Sequence, residues 1–152
     1  MNNIKVWKEG EKQVADFLIN KGYIIVYQNY FVKVAELDIV AILPKKVQKR
    51  EIKNEFLQQI KGLSNKNQLR LVKFSYKNKI KTLKDLLVIV EVKSRSNSKF
   101  GSGFDAVDFN KINHMKYGAE ILLKDKKFSE MQVRFDVASV DMGEIMYIEG
   151  AF

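Results

Sequence analysis

The residues AELDIVAIL, Ala35 to Leu43, alternate with the two-residue period of an extended strand. Leu37, Ile39 and Ala41 face one way, and Glu36, Asp38, Val40 and Ile42 the other. Pro44, the only proline, ends the run. From Trp7 to Asn20 the period lengthens. Val14, Ala15 and Leu18, with Trp7 ahead of them, form a helical stripe that also carries Glu11, and Gly22 in "NKGY" stands where a helix stops. Tyr23 to Tyr27 and Tyr30 to Val34 read as two short strands. Leu86 to Lys93 begins with five apolar residues and reads as a central strand buried on both faces. Between Asp105 and Lys124, Asp108, Ile112, Met115, Ala119 and Leu122 recur at helical spacing, and "VRFDVASVD" and "EIMYIEGAF" close the chain as strands.

Residues 45–85 differ in character. Ile52, Phe56, Ile60 and Leu63 predict a helix, with Gly62 near its end, and "LRLVKFSYKNKIK" predicts a strand with a phase slip at Leu71 and Val72. The segment is therefore expected to be an insertion holding one helix and an edge strand or hairpin. The element order predicts an α/β (α+β) fold, a mixed central sheet flanked by helices, in one domain over 1–152 with a lysine-rich insertion at about 45–85.

Composition narrows the classes. With 46% apolar and 30% charged residues the chain reads as globular rather than disordered. No apolar run approaches a membrane span, and the charged start MNNIKVWKEGEKQ lacks a signal-peptide core, so a cytoplasmic protein without membrane partners is expected. The absence of cysteine excludes disulfides, thiolate zinc sites and cysteine nucleophiles, and the single histidine, His114, cannot form a zinc site. A net charge of +9 favours polyanionic partners, nucleic acid first.

Candidate chemistry centres on "EVK". Glu91 and Lys93 project from one face of their strand, either as a structural ion pair or as part of a catalytic site. Asp38 lies in an apolar strand expected to pair with theirs. Two carboxylates and a lysine form an oxygen-rich pocket suited to Mg²⁺, whereas without a cation the carboxylates repel. A lysine alongside can orient water and stabilise charge on a phosphate, both parts of metal-assisted hydrolysis. Glu11, on the inward stripe of its helix, is a third acid, and Glu36 a further candidate. Ser94, Arg95, Ser96, Lys99 and Lys111 follow the strand, either as phosphate contacts or as solvated surface. The "KKVQKREIK" charge run reads as a solvated helix face, though its sign suits nucleic acid.

An ordered series of motifs carries a family resemblance. It comprises "GE" (Gly10, Glu11), "KGY" (Lys21 to Tyr23), "QNY" (Gln28 to Tyr30), "ELDIVA" (Glu36 to Ala41), "VEVKSR" (Val90 to Arg95), "FG" (Phe100, Gly101), "AV" (Ala106, Val107), Lys111, "RFDV" (Arg134 to Val137) and "IEGAF". In these the chain resembles the UPF0102 (YraN-type) family over nearly all its length outside the insertion. The resemblance implies a restriction-endonuclease-like fold akin to Holliday-junction resolvases, and the D…E-x-K site of the PD-(D/E)xK nucleases. It implies Asp38 and Glu91 as metal ligands, Lys93 as catalytic lysine and Glu11 as a helix-borne acid and further ligand. The implied cofactor is Mg²⁺, with Mn²⁺ as a substitute, and the implied partner is DNA, branched DNA included, with RNA left open. A homodimer follows by analogy with resolvases. Ala35 stands where the family usually has glycine and Phe31 where it often has arginine, so that a phosphate contact is either missing or supplied by Lys33. The expected activity is endonucleolytic hydrolysis of DNA phosphodiesters, and the alternative is a non-catalytic nucleic-acid-binding module on the same fold.

Overall fold

A strand segment that is apolar at every position must be covered on both faces, and the first half of β3 (Leu86–Arg95) is. Leu87, Val88, Ile89 and Val90 are fully buried. The computed structural model describes residues 3–95 and 107–152. Around β3 lie α1 (Asn3–Asn20), β1 (Ile24–Val32), β2 (Ala35–Leu43), α2 (Lys45–Ile60), α3 (Lys66–Lys81), α4 (Phe109–Leu122), β4 (Gln132–Asp141) and β5 (Glu144–Ile148). The five strands run in the order β1-β2-β3-β4-β5. All neighbours are antiparallel except β3 and β4, which are parallel and joined across α4. The architecture is thus the expected mixed sheet with helices on its faces.

The alternation read from sequence sorts the side chains into two cores. On one face Val14, Ala15 and Leu18 of α1 pack with Ile39, Ala41, Val88, Val90 and Ala138. On the other, Met115, Ala119 and Leu122 of α4 pack with Val40, Ile42, Leu87 and Ile89. Leu37 departs from its predicted side and joins the α4 core, where it lies against Gly118. Pairing of β2 to β3 extends only as far as Ile39 opposite Val90, and beyond that point β2 is paired on its β1 side alone.

α1 ends at Gly22, whose φ of +92° lets the amides of Gly22 and Tyr23 bond back to Ile19 and Leu18. The two short strands expected at 23–34 are one strand, β1, which runs through the expected gap and carries a register shift between Ile25 and Tyr27.

The insertion requires a larger correction. "LRLVKFSYKNKIK" is not a strand but most of α3, so the segment is a helical hairpin. Asn65 caps α3, accepting from the amides of Asn67 (2.8 Å) and Gln68 (3.3 Å). Leu69, Val72, Tyr76 and Ile80 then recur on one helical face, and Tyr76 stacks on Phe56 of α2 at 4.3 Å between ring centres. The hairpin is rooted where β2 ends and β3 begins. Val47 enters the α1 core, Gln48 Nε2 donates to the carbonyls of Leu43 and Lys84, and the Lys45 amide donates to Asp85 Oδ1.

Candidate active site

The site forms where β2 and β3 part. Past the last ladder pair, Ile39 with Val90, the amide of Val92 has no strand partner on the β2 side, and the Asp38 carboxylate takes that role. Its Oδ2 accepts the Val92 N–H at 2.8 Å. Glu91 shares the sheet face of Leu87 and Ile89, and there its carboxylate meets that of Asp38. α4, packed across this face by Met115 and Ala119, brings Lys111 to both. The Lys111 ammonium lies 2.9 Å from Glu91 Oε2 and 3.7 Å from Asp38 Oδ1, and donates to the Glu36 carbonyl at 3.4 Å.

The electrostatics follow from this crowding. Burial and then the adjacent Glu91 charge push the Asp38 carboxyl up to about 7, against the opposing pull of the Val92 amide and Lys111. Burial works against the Lys111 ammonium. Its bond to Glu91 and the charges of Asp38, Glu91 and Glu36 outweigh that and leave its pKa raised. With Lys111 beside it, the Asp38 carboxyl still stands above the usual carboxylate range.

α1 supplies the third acid through a close approach. A Cβ at Gly10 would lie 1.8 Å from Ser94 Oγ and 3.0 Å from Ser94 Cβ, so the helix can sit on β3 here only without a side chain. That contact sets the next residue, Glu11, at the mouth of the site. Asn29 holds it, donating from Nδ2 to Glu11 Oε2 at 2.7 Å. Asn29 has a φ of +50°, a conformation asparagine tolerates better than most residues. The result is a cavity of about 370 Å³ lined by Glu11, Glu36, Asp38, Glu91, Val92, Lys93 and Ser94.

The structure therefore brings Glu11, Glu36, Asp38, Glu91 and Lys93 around one cavity. The other sequence candidates take other roles or lie apart from it. Lys111, expected at a phosphate, is paired with the carboxylates. Ser94 has its Oγ buried beneath Gly10, without a hydrogen-bond partner among the described residues. Lys33 is exposed in the β1–β2 turn with a φ of +50°. Arg95 ends β3, and Ser96, Lys99 and the "FG" motif at Phe100 and Gly101 lie outside the described residues. His114 is exposed on α4. Sequence reasoning missed Asn29 and the reason for Gly10. The "QNY" and "GE" motifs contained both, but their roles depend on where α1 packs.

Among the described residues no three acidic or histidine side chains converge as a ready-made metal cage. Mg²⁺ does not require one, since it is commonly held by one or two carboxylates, with water and substrate phosphate filling its other positions. The oxygen donors of Asp38 and Glu91, largely buried and repelling one another, fit that demand, with Glu11 across the cavity.

A second polar cluster lies on the α1 face. Asp136, fully buried, accepts from Arg134 Nε (2.9 Å) and Nη2 (2.8 Å), Tyr147 Oη (2.6 Å) and the Gly150 amide (2.9 Å). Arg134 also reaches Glu149 and Tyr23. Every acceptor position of Asp136 is engaged, which makes the cluster a lock between β4 and the chain after β5. It accounts for "RFDV" and "IEGAF" without chemistry.

Comparison with known proteins gives one consistent result. The model of "Uncharacterised protein family UPF0102" matches residues 10–140. A UPF0102 protein of Dictyoglomus turgidum is 30% identical over 158 aligned positions, covering 100% of both chains. One from Dictyoglomus thermophilum is 31% identical, covering 92% of this chain and 85% of the relative, and one from Phocaeicola vulgatus is 32% identical, covering 95% and 89%.

Proposed function

The chain belongs to the UPF0102 family, and from that premise we propose that it is a metal-dependent nuclease acting on the phosphodiester backbone of DNA. The observation that carries this reading is the buried meeting of Asp38 and Glu91 at the point where β2 and β3 diverge, beside Lys93 and open to a cavity. Buried carboxylates placed side by side weaken a fold unless they do something.

A divalent cation held by Asp38 and Glu91 would supply Lewis-acid stabilisation of charge on the phosphate. The protein's own groups divide the remaining work. The Val92 amide fixes Asp38 Oδ2, and its other oxygen faces Lys111. Lys93, on the same strand face as Glu91, is placed to orient a water or neutralise a non-bridging phosphate oxygen. Glu11, oriented by Asn29, is placed across the cavity to accept a proton or complete the cation's shell. Lys111 keeps the two carboxylates together before substrate arrives.

That last contact also favours a second reading, a non-catalytic nucleic-acid-binding module in which Lys111 is the permanent counter-ion of the pair. Cleavage separates the two. Labelled duplex, single-stranded and four-way-junction DNA are incubated with Mg²⁺ or Mn²⁺ and the wild-type chain, Glu91→Gln or Lys93→Met. The nuclease reading expects metal-dependent products that fall about 10³-fold in either variant. Binding of these DNAs with no metal-dependent product would select the module.

A further inference from the structure

The positive charge of this chain is not spread over its surface. Residues 45–81 hold twelve of the 27 Lys and Arg but only two of the 18 Asp and Glu, so this segment carries +10 and the rest of the chain −1. The whole basic character belongs to the α2–α3 hairpin. Within it α3 has six cations and no acid. Lys79 bridges to Glu55 of α2 at 3.7 Å. The other five, Lys66, Arg70, Lys73, Lys77 and Lys81, recur every three or four residues, which sets them on a single stripe of the helix. All five are exposed, and among the described residues none has a salt bridge. At 1.5 Å per residue the stripe is roughly 22 Å long.

Like charges at this spacing repel and weaken an isolated helix. No residue of α3 is fully buried to offset that cost. Phe74 (65% exposed) and Leu71 (68% exposed) flank the stripe, beside a groove of about 510 Å³ also lined by Arg70 and Lys73. The main apolar face of α3 is turned to α2, so these two side chains give too little apolar area for a membrane-inserting helix. The charge complement is a polyanion in water.

We infer that the α3 stripe is a nucleic-acid-backbone-binding arm, with Lys66, Arg70, Lys73, Lys77 and Lys81 on successive phosphates and Phe74 against sugar or base. This rests on the proposed function, and places most of the binding away from the chemistry. The hairpin leaves the sheet at Leu43 and Leu86, the ends of β2 and β3 remote from Asp38 and Glu91. The five residues from Leu86 to Glu91 put its root roughly 17 Å from the pair.

The test measures fluorescence anisotropy of a labelled duplex of about 20 base pairs in EDTA across a salt series, with the full chain and Arg70→Gln/Lys73→Gln/Lys77→Gln. The expected result is a 10- to 100-fold weaker affinity near 0.1 M salt and a log–log salt slope reduced by about 2–3 in the triple variant. Its melting temperature should be unchanged or higher, since repulsion is removed. Phe74→Ala should weaken binding with the slope unchanged. Equal affinity and slope for wild type and triple variant would overturn the arm while leaving a DNA-binding protein. Wild-type binding to phosphatidylserine vesicles but not to DNA, or to neither, would overturn both readings.

Discussion

At the scale of single residues, Asp38 stands in tension with the stability of the fold. Its carboxyl is raised to about 7 by burial and by Glu91, above the value near 3.8 that it has in the unfolded chain. The unfolded state then releases this proton first, so the contribution of Asp38 to stability is full below about pH 4 and is lost as pH rises toward 7. An asparagine can still accept from the Val92 amide and can donate to Glu91. Asp38→Asn is therefore expected to stabilise the metal-free protein by about 1–2 kcal/mol at pH 8, with the gain vanishing near pH 4. Urea unfolding at the two pH values checks this, and equal stability of the two chains at pH 8 would show that the pair carries no strain. Gly10 makes a complementary prediction. Gly10→Ala drives a methyl into Ser94 Oγ and should cost about 1–3 kcal/mol. Ser94→Ala removes a buried hydroxyl without a partner and should be near neutral, and the double variant should recover much of the loss.

At the scale of elements, strands whose burial is decided by the sheet were legible, and of the two helices stabilised by one another α2 was legible and α3 was not. β2 and β3 had strict alternation or an unbroken apolar run, so parity alone put Asp38, Glu91 and Lys93 on compatible faces. In α3 the local signal was ambiguous. Leu69 with Leu71, and Phe74 with Tyr76, mimic a strand, and the helical choice depends on Phe56 of α2 and the cap at Asn65. The place of Lys111 was equally invisible, because it depends on how α4 crosses the sheet. The pairing of β4 with the chain after β5 depends on Asp136. Asp136→Ala leaves Arg134 and Tyr147 without their buried acceptor and should destabilise by about 3–5 kcal/mol. Chemical denaturation measures it, and a loss under about 1 kcal/mol would mean that water substitutes for the carboxylate.

At the scale of the whole molecule, two specialised regions occupy opposite ends of the same pair of strands. The carboxylate site opens where β2 and β3 part, and the cationic hairpin grows from their other end. The described helices include none long and apolar enough to cross a membrane. This division predicts that salt acts on binding rather than chemistry. Raising salt from about 0.05 to 0.2 M should lower kcat/KM by 10-fold or more while kcat at saturating DNA changes little. A parallel fall in kcat would place the screened charges at the reacting phosphate instead. The central claim is that Asp38 and Glu91 together hold the cation that hydrolysis needs. Its most direct test is single-turnover cleavage of end-labelled DNA by wild type and Asp38→Asn as Mg²⁺ is titrated from zero. The account predicts wild-type product that rises with Mg²⁺ to saturation, and none above background from a stably folded Asp38→Asn chain. Equal cleavage by the two chains, or wild-type cleavage that persists in EDTA, would contradict it.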